Sequence, residues 1–425
     1  VSCEINKEFK IFILLQAKFD MKKYVFLTSS IGNMGGAQMF LSNKVEYLRK
    51  HGWEVEAFFF NSFNEIKIPN LKRFENNCIP ELMYKVQSYS SSQRNAILGR
   101  ICSYIKKDGG CDMIVVESLL THLAFWAELV AERVHGIHIV NYLEEDIPVF
   151  SKRQIDFFDF KLRRRECLNA SKKSLQRLFK NFYLDEYESF FFVLKPFCSN
   201  VIDENDEINI DLKRADYTIL SIGRLDKPYI QTLLNELICF IGLHPQTRFN
   251  LIFIGGSADG YVEKKISSLF GVLENVNVYL LGYLYPIPKM LFENVNVSIA
   301  SSNSVLVTAE LGIPTIVIDA CDFHAIGVYG YDTQNKVFRT IEPLRKVSEL
   351  LNDVLLTDKY ANAKPVIGND EFCADDVFSG QLNFLKTVPG DNVYYDVNSA
   401  FSRKECLIAW IRRNVHSVLK RSNKK

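Results

Sequence analysis

The stretch "SSNSVLVTAELGIPTIVID", residues 301–319, decides how the fold is interpreted. It joins a polar cluster, a short apolar segment, a Gly-x-Pro break and an apolar strand. Gly312 suits the position just after a helix, and Pro314 prevents the helix from continuing. We therefore predict a helix of about two turns followed by a buried strand, which is a repeating element of α/β folds.

The polar cluster before this helix contains good N-cap residues, namely Ser302, Asn303 and Ser304. If the helix begins near Val305, its free N–H groups and positive dipole end favour an anion. Glu310 lies five positions later, which is about 7 Å along a helix axis. A ribose lies about that far from the diphosphate of a nucleotide, so Glu310 is a candidate for binding ribose hydroxyls. An ordinary surface glutamate is the alternative.

Short apolar strands alternate with helices from Met21 to Asp319. The predicted strands are "KYVFLTS", "WEVEAFFF", "CDMIVVES", "IHIVNYL" and "SFFFVLKPFC" in the first half, and "DYTILSIG", "FNLIFIGG", "VNVYLLG", "VNVSIAS" and "PTIVID" in the second. Such alternation predicts mostly parallel sheets covered by helices on both faces. We therefore expect an α/β protein with two doubly wound, Rossmann-like domains facing a cleft.

The chain of 425 residues is too long for one hydrophobic core, and a polar, acidic joint near residues 199–214 divides it. We predict an N-terminal domain at 21–205, a C-terminal domain at 206–385 and a tail at 386–425. Residues 1–20 are interpreted as an extension outside the fold, because Met21 followed by two lysines and a strand resembles a natural start. A signal peptide beginning at Met21 is the alternative.

Charge and cysteine content exclude several classes of function. The 51 basic and 50 acidic residues give a net charge of +1, so we expect no nucleic-acid partner. The ten cysteines are scattered, without a C-x-x-C pair, which argues against structural zinc and favours a reducing cytoplasm. No apolar run approaches the ~20 residues of a membrane span.

Two cations directly follow the first strand of the second half. In "SIGRLDKP", residues 221–228, Arg224 is a forked phosphate donor and Lys227 is a compact charge on a flexible stem. Together they could neutralise a diphosphate leaving group without a metal. Two surface cations in a turn are the alternative.

Glycines follow the neighbouring strands, and they let a ligand approach the backbone closely. Gly256 ends one strand, and Gly282 with Tyr283 ends the next. Gly35 and Gly36 follow the first strand of the chain, but their spacing is not that of a dinucleotide fingerprint.

With these motifs the chain resembles the GT-B glycosyltransferases, specifically the retaining family-4-like group, over roughly residues 21–356. The resemblance is carried by "GGAQMFLSNKVEYLRKHGWEV", "SIGRLDKPYIQTLL", "FIGG" and "SNSVLVTAELGIPTIVID". It implies that Arg224 and Lys227 bind the donor diphosphate and that Glu310 binds the ribose. It also implies that the amides near Ser304 and Val305 bind phosphate.

The same resemblance assigns further residues on the donor and acceptor sides. Gly256 belongs to the donor site, and the loop at Gly282 and Tyr283 corresponds to the part that meets the base. Gly35 and Gly36 correspond to the loop on the acceptor side.

The chain departs from the pattern of this family at two places. Ser302 stands where the family usually has a glutamate, eight positions before the ribose-binding residue. Glu144, within "NYLEED", stands where the family often has a histidine near the transferred sugar. Its carboxylate could bind a sugar hydroxyl, and a helix start or surface acids are the alternative.

The resemblance implies a metal-independent, retaining sugar transfer with no cofactor. The donor would be a UDP- or GDP-linked sugar and the acceptor a saccharide or lipid-linked saccharide, in surface polysaccharide or glycoconjugate synthesis. A non-catalytic binding or scaffold protein of the same fold and a sugar-nucleotide epimerase are the alternatives.

The tail "SRKECLIAWIRRNVHSVLKRSNKK" has an apolar helical face and basic residues opposite. Leu407, Ile408, Ile411 and Val415 recur at steps of three and four, and Val418 and Leu419 continue them. Packing of a last helix on a domain is one interpretation. Peripheral contact with an anionic membrane surface is the other.

Overall fold

The computed structural model divides the chain into two compact units. Unit 1 comprises Val1–Pro196 and Ala374–Lys425, and unit 2 comprises Phe197–Cys373. The structure describes residues 22–32, 34–61, 65–105, 113–119, 121–142, 150–169, 191–193, 202–203, 211–257, 259–285, 287–357, 359–360, 365–366 and 374–422. The predicted extension at 1–20 and Glu144 lie outside these residues.

Unit 1 contains a parallel six-stranded sheet. Its strands are β1 (Lys22–Thr28), β2 (Trp53–Phe59), β3 (Met113–Ser118), β4 (Ile137–Tyr142), β5 (Cys167–Asn169) and β6 (Phe191–Val193). The order is β2-β1-β3-β4-β5-β6, and every pairing is parallel. The direction of winding reverses between β1 and β3, as in doubly wound sheets.

Amphipathic helices cover this sheet. They are α1 (Gly36–Lys50), α2 (Ser91–Ile105), α3 (Ala124–Val134) and α4 (Lys152–Arg163). At the start of helix α4, the side chain of Gln154 accepts a hydrogen bond from the amide of Ser151 at 3.0 Å. Trp126 on α3 and Phe157 on α4 are fully buried in the core, so the helices are fixed mainly by apolar burial.

Unit 2 contains a second six-stranded sheet. The strands of this unit are β7 (Ile202–Asp203), β8 (Tyr217–Ile222), β9 (Phe249–Ile254), β10 (Val276–Leu280), β11 (Ile287–Pro288), β12 (Val297–Ala300), β13 (Thr315–Ile318) and β14 (Ala325–Val328). The order is β10-β9-β8-β12-β13-β14, with only β14 antiparallel, while β7 and β11 form a small separate pair. The helices are α5 (Ile230–Gly242), α6 (Tyr261–Phe270), α7 (Ser304–Ala309) and α8 (Val347–Leu355). The prediction of two doubly wound α/β domains is confirmed.

The chain returns to unit 1 after residue 373, through α9 (Ala374–Leu385) and α10 (Arg403–Ser422). We expected the C-terminal domain to extend to residue 385, but α9 packs on α1, with Phe378 against Phe40 and Tyr47. The apolar face of α9 therefore belongs to the first domain. Among the described residues, no helix is long and apolar enough to cross a membrane.

Within the described residues of unit 1, two charged networks are buried. In the first, the ammonium of Lys44 pairs with the carboxylate of Glu117, which also accepts hydrogen bonds from Tyr24 and Asn141. Burial lowers the pKa of Lys44 to about 8, although Glu117 opposes the shift. Gln381 of α9 approaches Glu117 at 3.4 Å, so the returning segment completes this network.

The second network contains a Ser–His–Glu chain that resembles a catalytic triad. The hydroxyl of Ser118 lies 3.2 Å from His138 Nε2, and His138 Nδ1 lies 2.6 Å from Glu128 Oε2. Lys161 also donates to Glu128 at 2.8 Å, and the amide of Tyr395 donates to its other oxygen at 2.7 Å. All these side chains except Tyr395 are essentially inaccessible, so no substrate reaches them and the network is structural.

The second network makes unit 1 sensitive to acid. Desolvation, aided by Lys161, lowers the pKa of His138 to about 4, so the folded chain holds a neutral imidazole. Burial alone would raise the pKa of Glu128, but Lys161 and His138 hold it at about 2. Unfolded histidine binds a proton below about 6.5 and unfolded glutamate below about 4.5, so acid favours the unfolded chain at both sites.

We therefore expect the free energy of unfolding to be highest above about pH 6.5 and to fall toward pH 4, with Glu128 adding a further loss below about 4.5. His138→Gln keeps a donor for Glu128 and an acceptor for Ser118 but cannot titrate. Its pH slope between 6.5 and 4.5 should be smaller by up to about 1.4 kcal/mol per pH unit. Urea unfolding at several pH values measures this, with His324→Gln, whose side chain is 40% exposed, as control. An unchanged slope in His138→Gln would contradict the assignment.

Candidate functional site

The candidate site lies at the carboxyl edge of the unit 2 sheet, where the order of winding reverses. Strand β8 has β9 on one side and β12 on the other, and β13 follows β12 on the far side. In open parallel sheets, ligands bind outside the carboxyl ends of the strands at such a reversal. The predicted cations follow β8, and the predicted phosphate-binding helix follows β12, so both border this position.

Arg224 and Lys227 lie on a loop whose backbone is fixed on both sides. The amide of Gly223 donates to Ile254 O at 2.9 Å, and the amide of Leu225 donates to Gly256 O at 3.1 Å. Leu225 is buried while the side chains of Arg224 and Lys227 are exposed. The sequence thus produces a loop that is hydrogen-bonded to the end of β9 and presents two exposed cations.

Arg224 has a nearby acid, but the pair is weak. Its Nε lies 3.5 Å from an oxygen of Asp226, and both side chains are about two-fifths exposed. Ion pairs at this exposure contribute under about 1 kcal/mol. A phosphate, which offers the guanidinium two charged oxygens, would compete effectively for Arg224.

A corner of close-packed backbone supports this loop. Gly255 has φ +131°, its amide donates to Gly282 O at 2.7 Å, and a Cβ there would lie 2.0 Å from the carbonyl oxygen of Gly223. Only glycine fits, because both the dihedral angle and the space exclude a side chain. The ends of β8, β9 and β10 are therefore joined through Gly223, Gly255 and Gly282.

Tyr283 lies against the same corner. Its hydroxyl donates to Gly256 O at 2.8 Å, and a Cβ at Gly256 would lie 2.7 Å from its ring. Burial raises the pKa of Tyr283, and Asp226 adds to the shift, so the phenol stays neutral. Gly256, Gly282 and Tyr283, which the sequence assigned to one donor site, are thus brought together with the Arg224 loop.

The loop after β12 holds Ser302 in an unusual conformation. Ser302 has φ +63°, its amide donates to Lys336 O at 2.7 Å, and its side chain is exposed. A left-handed serine costs about 1 kcal/mol or more, so it persists only where the surroundings fix it. The helix begins two residues later, at Ser304, with Asn303 as the cap residue.

The amide of Val305, which was predicted to bind phosphate, has a hydrogen-bond partner within the turn. Val305 is fully buried, and its N–H donates to Ser302 O at 3.1 Å within the turn. Helix α7 is also only six residues long, so its dipole is small. The contact of phosphate with Ser304 and Val305 therefore stays a prediction, and Ser302 presents an exposed side chain at the same turn.

Glu310 lies at the end of α7 rather than inside it. The amide of Gly312 donates to Ala309 O at 2.9 Å, and that of Ile313 donates to Thr308 O at 3.1 Å. With φ +76° at Gly312, this is the Schellman cap expected from the sequence. The cap fixes the backbone of Glu310 while its side chain stays exposed. The helix dipole disfavours an acid at this end, so the dipole does not account for a glutamate here.

Gly35 and Gly36, the residues predicted on the acceptor side in unit 1, have no contact with other described residues that indicates a ligand. Gly35 is the extended N-cap of α1, and Gly36 begins that helix with open space where a Cβ would lie. Both follow β1 at the reversal in the first sheet. Among the described residues, no group of three or more His, Cys, Asp or Glu side chains is placed to hold a metal.

His122, which the sequence did not indicate, follows β3 at the reversal of the first sheet. Its ring packs on Phe60 at 5.6 Å, and within the described part of the chain Nε2 is buried without a hydrogen-bond partner. Desolvation lowers the pKa of His122 to about 4, so the imidazole is neutral. In the sequence, only the position of His122 just after a strand indicates a functional role. Many residues share such a position, so it does not distinguish His122 from them.

Comparisons with known proteins reveal the fold. No protein-family model matches the chain, and no curated protein matches it. HepE from Anabaena in complex with UDP-glucose is 15% identical with a TM-score of 0.52, covering 86% of this chain and 98% of that chain. A glycosyltransferase from Rickettsia africae is 12% identical with a TM-score of 0.53, covering 92% of this chain and 98% of that chain. These likenesses show that the chain has the two Rossmann-like domains of the GT-B fold.

Gly255→Ala tests the corner that supports Arg224. A methyl group 2.0 Å from Gly223 O must displace the loop, so we expect a loss of at least about 2 kcal/mol in the free energy of unfolding. Hydrogen exchange at the amide of Leu225 should also accelerate. Gly242→Ala is the control, because no atom lies within 4 Å of its Cβ and alanine suits the helix. Equal stability of the two variants would show that the corner can relax.

Proposed function

We propose that the chain is a glycosyltransferase that moves a sugar from a nucleoside-diphosphate donor to an acceptor hydroxyl with retention, without a metal. One observation carries the proposal. Arg224 and Lys227 lie on a fixed loop after β8, at the reversal of the sheet. The neighbouring strand β12 leads to helix α7, and Glu310 is the C-cap residue of that helix. Cations for a diphosphate and a carboxylate for a ribose therefore stand on adjacent loops.

The cations supply the electrostatic part of the reaction. As the bond between sugar and diphosphate breaks, negative charge accumulates on the leaving diphosphate. Arg224 offers a planar pair of N–H donors and Lys227 a compact charge, and both are held by a backbone that need not reorganise. The acceptor hydroxyl then attacks the anomeric carbon from the face that the diphosphate leaves.

Glu310 and Tyr283 account for recognition of the nucleoside. Glu310 lies six residues after Ser304, which is about 9 Å along the helix axis. It therefore reaches ribose hydroxyls when the phosphates lie near Ser304. Gly282 and the fixed ring of Tyr283 would face the base. Ser302 cannot supply the negative charge that a glutamate would have at this position. We therefore assign binding of the donor by a carboxylate in this segment to Glu310.

The compared structures support a nucleotide-sugar donor, because HepE is described in complex with UDP-glucose and the Rickettsia protein is described as a glycosyltransferase. We propose a UDP- or GDP-linked donor, a saccharide or lipid-linked saccharide acceptor and a role in surface polysaccharide synthesis. Glu144 would bind the transferred sugar. Free thiols at Cys102, Cys167 and Cys239 favour a reducing, cytoplasmic location.

Arg224→Ala should weaken UDP or GDP binding by about 2 kcal/mol, or roughly thirtyfold, because charged hydrogen bonds of this kind contribute that much. It should also abolish sugar transfer while the fold survives. Arg248→Ala is the matched control, since Arg248 is exposed at the opposite, amino end of β9. Calorimetry measures the affinity. Unchanged binding in Arg224→Ala would remove the proposed diphosphate site.

Glu310→Ala should weaken binding of a nucleoside diphosphate but leave binding of inorganic pyrophosphate unchanged, because the carboxylate is assigned to the ribose. Glu274→Ala is the control, since Glu274 is exposed in the turn before β10. A loss of both affinities would show a general electrostatic or structural effect instead.

Release of the nucleoside diphosphate separates the possible activities. A glycosyltransferase releases it in proportion to acceptor, whereas an epimerase isomerises the donor without an acceptor. A scaffold protein does neither and need not bind any nucleoside diphosphate.

A further inference from the structure

The C-terminal helix α10 uses one face to attach to unit 1. His416 Nδ1 lies 2.7 Å from the hydroxyl of Tyr84, and the guanidinium of Arg413 lies 4.3 Å from the centre of the Tyr89 ring. Cys406 packs against the core of the unit. Glu405 caps the start of the helix by accepting from the amide of Ser402 at 2.7 Å. The position of α10 on the unit is therefore well determined.

The opposite face of α10 is apolar and exposed. Its aliphatic side chains recur at steps of three and four and are between 39% and 57% exposed: Leu407, Ile408, Ile411 and Val415. We call these four residues the apolar stripe. A helix that packs on a domain is expected to bury its most apolar face. Helix α10 packs on unit 1 with its other face and leaves its most apolar face exposed to solvent. A contiguous stripe of this kind marks an interaction surface.

Basic residues border the apolar stripe on both sides. Arg403 lies one turn before Leu407, Arg412 lies one turn after Ile408, and Lys404 precedes the stripe. All three are exposed. The helix sequence contains six basic residues and one acid, Glu405, which is occupied as a cap.

Trp410 lies beside this border and is 51% exposed. Indole rings favour the level of lipid headgroups, because they are apolar with one polar N–H.

We propose that α10 binds the surface of an anionic lipid bilayer. The apolar stripe enters the boundary between headgroups and acyl chains, while Arg403, Lys404 and Arg412 meet lipid phosphates at its edges. The charges favour lipid over a second copy of the chain, because a self-contact of this face would bring its basic borders together. The proposal is independent of the nucleotide site, all of whose described residues on the donor side lie in unit 2.

The test uses the full chain and two kinds of vesicle, phosphatidylcholine alone and phosphatidylcholine with about a third phosphatidylglycerol. We expect co-sedimentation with the anionic vesicles, weakened by salt, and little with the neutral ones. The tryptophan emission should shift to shorter wavelength on binding. Of the three tryptophans, Trp53 and Trp126 are buried, so the change reports Trp410.

Ile411→Glu and Arg412→Glu should each lower binding to anionic vesicles at least about fivefold, since one charge near such a surface is worth about that factor. Leu243→Glu and Val272→Glu are the matched controls, because these residues are 76% and 78% exposed but lie in unit 2. Melting temperatures should be unchanged throughout. Arg224→Ala should bind vesicles normally, and Ile411→Glu should bind UDP as the native chain does, which separates this proposal from the proposed function.

Three results would overturn the proposal. The first is equal sedimentation with and without anionic lipid, and the second is an equal loss in the unit 2 controls. The third is a native chain that sediments as a dimer without lipid and becomes a monomer in Ile411→Glu, which would show that a second copy covers the stripe.

Discussion

The parallel pairing of β8 with β9 and β12 is the constraint on which the candidate site depends. Because these strands are parallel, the carboxyl ends of β8, β9 and β12 lie at one edge of the sheet. The reversal of winding leaves an opening at this edge, between the loops that follow β8 and β12. The close contact of Gly255 with Gly223 then fixes the position of the Arg224 loop relative to the end of β9. The candidate site at this edge therefore depends first on the geometry of the sheet and only then on the side chains of its loops.

Local signals made much of unit 2 predictable. The Gly-x-Pro break located the end of α7, and Gly312 lies just after the helix as predicted, with φ +76°. Strand ends followed by glycine or a cation were equally clear, because turns and caps depend on neighbouring residues. The conformation of Ser302 was not predictable, since its amide donates to the carbonyl of Lys336, which is distant in the sequence.

Contacts between distant segments of the chain could not be predicted from periodicity. Lys44 and Lys161 occur in amphipathic helices, where a lysine normally indicates a solvated face. Here both are buried against Glu117 and Glu128, which come from a strand and from another helix. The end of the second domain was misplaced for the same reason, because the affinity of α9 for α1 is a property of two surfaces rather than of one sequence window.

The return of the chain to unit 1 determines the sequence of events during synthesis. Glu128 and Lys161 leave the ribosome long before Tyr395, whose amide completes the hydrogen bonding of that carboxylate. Unit 2 lies between them and is complete once residue 373 has been made. We therefore expect unit 2 to fold first, while unit 1 stays incomplete until the segment that begins at Ala374 has been made. Nascent chains of this protein would mature from the inserted domain outward.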